Sequence, residues 1–482
     1  MSFFVLSLLS SIFLSSVVAA PLSSSSAVQL DLVGKRRPLH KRDEFGVFGN
    51  GSLGLRNNRD IDYRCNVTLG GRAYQVEIDS GSTDLWVDTQ GLDPPGTVDT
   101  DILMDIFFGG GDVHGSIHTV QMDFNGFTID DQAYLNVFEN NEGISGIIGL
   151  GPSLGEASEI REKSQGEGFK GDPPLDRIFQ QNPTMDRILT LYLSRDATVE
   201  NIQADQFPAQ LTIGKVIPGL EAIQNAPKLP VVVNQFGLQH WETLLDANGI
   251  IGPNGQRINT KTVVQDSSDG GSPEQLRIIF DSGFTVPQLP RDVFDAIYKD
   301  IPGAQFIEDG TTLNENLTSQ NFYRIPCDQE VTVSFVFSGQ EFPISAIDLN
   351  RDKQFKDSNG TEICISGFGQ SEPSEGIDAI LGEGFLRNTY ILFNFGNFVG
   401  GSSSNVANPY IQLLSINDKT KIHTDFVNAR LGGNDPNNNS NPTGNTDSTD
   451  NHNDDNSSLS HGPRALAVGM SAIAALVTLL GS

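Results

Sequence analysis

The sequence predicts an all-β protein of two lobes, with a few short helices. Three observations carry this. Apolar, β-branched runs recur between turns punctuated by 50 glycines, the pattern of strands rather than of amphipathic helices. At 482 residues the chain is too long for one hydrophobic core and fits two. Finally, Ile78-Asp79-Ser80-Gly81-Ser82-Thr83 is answered 202 residues later by Phe280-Asp281-Ser282-Gly283-Phe284-Thr285.

Each copy closes an apolar run, Val76-Glu77-Ile78 in one case and Ile278-Ile279-Phe280 in the other. Such a run reads as a strand entering a core, and the Ser-Gly after it permits a tight turn that presents an aspartate. Either copy alone reads equally as ordinary hairpin chemistry, since Asp and Ser bond their own backbone and Gly supplies positive φ. The repetition argues otherwise. If the halves are related by an approximate twofold axis, Asp79 and Asp281 meet there and share a proton, because two adjacent carboxylates cannot both ionise.

The flanking residues extend the pattern. Asp84-Leu85-Trp86-Val87 follows the first turn, Gly146-Ile147-Ile148-Gly149-Leu150 lies further on, and Ile380-Leu381-Gly382 answers it in the second half. After the second turn, Leu289 to Ile297 begins with Pro290 and puts Phe294 and Ile297 on one helical face. Over roughly residues 60 to 415 the chain resembles the pepsin-like aspartic proteases (peptidase A1), and its ends resemble the fungal, glycolipid-anchored members.

That resemblance implies a bilobal acid-protease fold and an aspartic-type endopeptidase that binds an extended peptide, probing it with no cofactor, no metal and no acyl-enzyme. Asp79 and Asp281 would activate a water between them, one as base and one as acid. Ser80 and Ser282 would bond across to the opposite loop, with Gly81, Gly283 and Thr285 completing the two turns, and Ser82 would donate to Asp79. Two departures stand out. Phe284 replaces the second hydroxyl donor, which biases the shared proton toward Asp281. In the flap, Asp105 to Asp112, Phe108 stands beside Gly109 in place of a tyrosine, so the indole of Trp86 loses its partner. Either slower catalysis or a catalytically weak surface-binding or wall-structural protein follows from these losses. Cys327 and Cys364 match the family's second-lobe disulfide, leaving Cys65 as a buried free thiol or an intermolecular bridge.

Sixty acidic against 31 basic residues give a net charge of −29, which argues against nucleic acid and anionic surfaces as partners and fits work in acid or simple solubility. Residues 1–19 read as a signal peptide. Residues 20–42 read as a propeptide ending at Lys41-Arg42, or as a solvated basic linker. The lobes are expected over 43–196, with Asp79 and the flap, and over 197–430, with Asp281. A disordered Asn/Asp/Ser-rich stalk over 431–456 and a removable anchor signal over 457–482 follow, with Asn456 as the glycolipid attachment point. A tail anchor and plain secretion are the alternatives. Sequons at Asn50, Asn66, Asn316, Asn359 and Asn438 fit the secretory pathway, and a monomer at the cell surface is expected. Gly151-Pro152-Ser153-Leu154-Gly155 formally matches a serine nucleophile elbow, but the chain lacks the alternating strands and helices that motif requires. His114 and His118 are four apart on hairpin sequence, which is no metal-site pattern.

Overall fold

The computed structural model describes residues 47–48, 51–108, 111–154, 157–196, 205–233, 239–264, 271–312, 321–357, 360–371, 376–399 and 409–436. The expected signal peptide, propeptide and anchor signal lie outside these, as do Asn50, Gly109, Gly155, Asn316, Asn359, Asn438 and Asn456. Among the described residues strands dominate and the longest helix is Lys419–Arg430. No described helix is long and apolar enough to cross a membrane.

In the first half, eight strands form one sheet, ordered Arg56–Asn58, Asp62–Leu69, Arg72–Asp79, Gly146–Gly149, Leu85–Asp88, Phe127–Asn140, Asp112–Phe124 and Val98–Phe107. It curls until Thr68 pairs with Asp123 across the gap. Period-two alternation builds it: Tyr63, Cys65, Val67 and Leu69 are buried while Arg64, Asn66 and Thr68 between them are partly exposed. Asn125-Gly126, with φ of 49° and 83°, makes the two-residue turn that sets Phe124 opposite Phe127.

The second half repeats the local topology around its Asp-Ser-Gly. Arg72–Asp79 runs parallel to Gly146–Gly149, which is antiparallel to Leu85–Asp88, itself parallel to the strand from Phe127. Likewise Arg277–Phe280 runs parallel to Ala379–Leu381, which is antiparallel to Gln288–Leu289, itself parallel to Gly369–Gln370. Each aspartate thus closes a strand whose neighbour returns from far along the chain. The helix after the second turn spans Arg291–Tyr298 with Pro290 at its N-cap, and buries Val293, Phe294, Ile297 and Tyr298.

A six-stranded sheet, ordered Leu53–Gly54, Gln210–Ile213, Ile188–Tyr192, Thr389–Asn394, Tyr410–Ser415 and Leu229–Pro230, joins the halves. One apolar cluster continues through it, from Leu53 to Leu413. Asp348 locks the same region. It accepts from Arg195 at 2.6 Å, Arg387 at 2.9 Å and Asn388 at 2.9 Å. Burial pushes its carboxyl up, but the two guanidinium groups outweigh this and hold it below the usual range.

Candidate active site

The two Asp-Ser-Gly turns interlock. Ser80 N–H donates to Ser282 Oγ at 3.0 Å, and Ser282 N–H donates to Ser80 Oγ at 2.9 Å. Each hydroxyl passes its own proton to the strand of the other half, Ser80 to the Phe280 carbonyl at 3.1 Å and Ser282 to the Ile78 carbonyl at 3.0 Å. Both serines are fully buried, so any broken bond would leave an unsatisfied group at a cost of about 1–3 kcal/mol. His240 Nδ1 lies 3.1 Å from the Gly81 carbonyl, and Trp241 Nε1 donates to the Leu150 carbonyl at 3.1 Å, two further ties from the second half to the first. A carbonyl only accepts, so His240 carries its proton on Nδ1. Burial lowers the pKa of this imidazole.

This grip brings Asp79 and Asp281 together, 6% and 7% exposed. The fit admits no side chain on the turn glycines. A Cβ on Gly81 would fall 2.2 Å from Asp281 Oδ2, and one on Gly283 would fall 2.6 Å from Asp79 Oδ1. Gly81 N–H donates to Asp79 Oδ1 and Gly283 N–H to Asp281 Oδ1, both at 2.8 Å. The symmetry ends at the next residue. Ser82 Oγ donates to Asp79 Oδ2, whereas the Phe284 side chain has nothing to donate to the Asp281 carboxyl. Burial, then the adjacent Asp79 carboxylate and the hydrogen bond between the two acids, push Asp281 well above the ordinary carboxyl range. Thr285 instead ties the second turn to the Ile61 carbonyl at 2.5 Å, and Thr83 does the same for the first through the Ala157 carbonyl.

Over the first turn, Ile106 pairs with Val113 and Phe107 with Asp112, and Phe108 N–H closes the hairpin on the Gly111 carbonyl at 2.8 Å. Phe108 packs on Trp86 with ring centroids 6.1 Å apart. Trp86 Nε1 is buried with no hydrogen-bond acceptor, which follows from a phenylalanine where a hydroxyl would have answered it. Sequence reasoning missed Glu77, Glu142 and His240, all close to the pair. Glu77 left a signal, a lone charge in the apolar run before Asp79. Glu142 and His240 left none, since only the fold brings them near.

Elsewhere, Cys327 and Cys364 form a disulfide with Cα atoms 5.1 Å apart, and Cys65 is a buried free thiol whose pKa burial pushes up. Asn66 lies partly buried on its strand opposite Gln75. Ser153 is no exposed nucleophile: it is fully buried and donates to Asp176 Oδ2 at 2.6 Å. His114 pairs with Asp105, and His118 lies 3.3 Å from Asp99.

Two interlocked Asp-Ser-Gly turns with hydrogen-bonded carboxyl groups beside a β-hairpin define the class of the site, that of an aspartic protease. The model of the eukaryotic aspartyl protease family matches residues 251–403, which include Asp281 and its crossing strand. The chain is 27% identical to Major aspartyl peptidase 1 of Cryptococcus neoformans var. grubii over 78% of its own length and 76% of the relative's. Candidapepsin-3 of Candida albicans is 24% identical over 70% of this chain and 78% of its own, and Aspergillopepsin-1 of Aspergillus flavus 23% over 70% and 74%. The chain is similar to the pepsin-like aspartic proteases and is an aspartic-type endopeptidase.

Proposed function

We propose that this endopeptidase works outside the cell or at its surface, hydrolysing extended peptides in acid with water activated between Asp79 and Asp281. The carrying observation is the unequal environment of the two acids. Asp79 accepts a backbone N–H and the Ser82 hydroxyl, while Asp281 lacks the second donor and sits high in pKa. Asp79 is then the base that takes a proton from water as it attacks the scissile carbonyl. Asp281 is the acid that donates to the carbonyl oxygen, giving a tetrahedral intermediate. Ser80 and Ser282 hold the pair rigid, and Phe108 and Trp86 cover the substrate from the flap side.

The lobes are assigned to 43–196 and 197–430, released from a signal peptide over 1–19 and a propeptide over 20–42. A stalk over 431–456 carries a glycolipid at Asn456 after removal of 457–482. The apolar start, the Lys41-Arg42 pair and the apolar end support this, as do relatives named as secreted aspartic proteases in Candida albicans. The protein is read as a monomer glycosylated at Asn50, Asn66, Asn316, Asn359 and Asn438.

The test is cleavage of a denatured protein between pH 3 and 7 by protein purified after secretory expression. Pepstatin and Asp79→Asn should each abolish it; cleavage that survives both would refute the shared-proton mechanism. For the anchor, phosphatidylinositol-specific phospholipase should release the protein from cells, and retention after a control anchor is fully cut would refute it.

A further inference from the structure

Besides the exchange of bonds between the two serines, the second half holds the first catalytic turn through His240. Antiparallel pairing sets Glu242 opposite Ile279, and Phe280 N–H donates to the Trp241 carbonyl at 3.1 Å, so the same ladder carries His240 alongside Asp281. The platform beneath it is rigid. Trp241 is fully buried and stacked on Phe393 with ring centroids 4.7 Å apart. The His240 carbonyl accepts from Glu242 N–H at 2.9 Å and from Gln239 Nε2 at 2.8 Å. From this footing Nδ1–H reaches the Gly81 carbonyl at 3.1 Å, across 159 residues.

That carbonyl belongs to the peptide joining Gly81 to Ser82, and both residues serve Asp79. Gly81 N–H donates to Asp79 Oδ1 at 2.8 Å, and Ser82 Oγ donates to Asp79 Oδ2. Position 81 admits only glycine, because a Cβ there would fall 2.2 Å from Asp281 Oδ2. Glycine restricts its own φ and ψ least, so the close fit of the two acids is bought with a turn that can pivot at this residue. One residue on, the Ser82 carbonyl is fixed by Gly151 N–H at 2.7 Å. The Gly81–Ser82 peptide itself is fixed by the imidazole. Nδ1 carries a proton both in this neutral tautomer and in the cation, so the tie holds across the acid range.

We propose that His240 is a positioning residue for the hydrolysis: its Nδ1–H pins the Gly81–Ser82 peptide, so that both donors stay on Asp79 while that group takes a proton from water. This rests on the endopeptidase reading above. Because the imidazole acts through the turn that carries Asp79, its loss falls on the chemical step rather than on substrate affinity. The bond also dictates the tautomer, since an imidazole with its proton on Nε2 alone would set a lone pair against the carbonyl.

The test uses the full chain, secreted and processed, with kcat and KM on one peptide and heteronuclear NMR of the histidine ring nitrogens. His240→Leu should lower kcat about tenfold or more with KM within about threefold of wild type. His240→Asn, whose amide N–H stands in for Nδ1–H, should bring kcat back to within about threefold of wild type. A raised KM at unchanged kcat would make His240 a substrate contact and overturn the proposal. Equal losses in the two variants would assign a structural role to the ring and overturn it as well, as would wild-type kinetics in His240→Leu. The NMR measurement needs no variant: the sequentially assigned His240 ring should carry its proton on Nδ1, and a neutral ring protonated on Nε2 would overturn the proposal even if both variants failed to fold. Each of these outcomes leaves the endopeptidase reading standing as long as wild type cuts the peptide. Cleavage of neither the peptide nor a denatured protein by wild type would overturn both.

Discussion

Replacing Glu142 by glutamine should make the fold less sensitive to neutral pH. The Glu142 carboxyl is raised from 4.5 to about 7, first by burial. A carboxyl that holds its proton more tightly folded than unfolded adds stability that is complete below its unfolded pKa and lost as pH climbs through the folded value. The window here runs from about 4.5 to 7. At about 1.4 kcal/mol per pKa unit the shift is worth about 3 kcal/mol, and water at the cleft edge reduces this to about 1–2 kcal/mol. For a lobe of this size that is about 3–6 °C in Tm. Glu77 and Glu383, both buried and raised, push the same way, whereas His240, whose pKa burial lowers, pushes the opposite way below its ordinary pKa. The assay is therefore a difference. Thermal melts of wild type and Glu142→Gln should diverge between pH 4.5 and 7.5, with the variant losing about 3–6 °C less, and should lose stability equally below pH 4.5. A wild-type Tm that stays flat or rises across this window, or a variant that keeps the full decline, would refute the reasoning.

Three more perturbations address the catalytic turns. Phe284→Thr offers Asp281 the donor it lacks; a hydrogen bond of about 1.5–3 kcal/mol to its charged form should move the alkaline limb of the pH–rate profile down by about one unit or more, as read from kcat against pH. Phe108→Tyr places a hydroxyl near the buried, unanswered Trp86 Nε1 and should raise kcat/KM several-fold, a gain of about 1 kcal/mol; steady-state kinetics on one peptide decide it. Gly81→Ala drives a methyl group to within 2.2 Å of Asp281 Oδ2 and should cut kcat about a hundredfold or more, while circular dichroism stays that of the folded protein.

Much of this site was legible because its chemistry is written locally and twice. The turns at Asp79 and Asp281, the crossing strands at Gly146 and Ala379, and the helix from Arg291 each carry a signal within a few residues. The six-stranded sheet was not legible. Its strands are as short as Leu53–Gly54 and Leu229–Pro230, and its pairings, such as Thr190 with Leu392, are set by the closing of the whole chain. The same limit hid His240, which reaches Gly81 across 159 residues. Nor could spacing say that Arg64 would turn to Asp62 rather than to its cross-strand neighbour Glu77.

That choice by Arg64 bears on why the halves differ. The three residues before Asp281 are apolar, Ile278-Ile279-Phe280, with Ile279 in register with Ile380. Their counterpart places Glu77 in register with Ile147. An unpaired buried carboxyl costs stability that an isoleucine would not, and the second half shows that the topology accepts an isoleucine there. The charge at Glu77 is therefore not demanded by the fold. Glu77→Ile should raise the melting temperature, and a variant that melts below wild type would refute this.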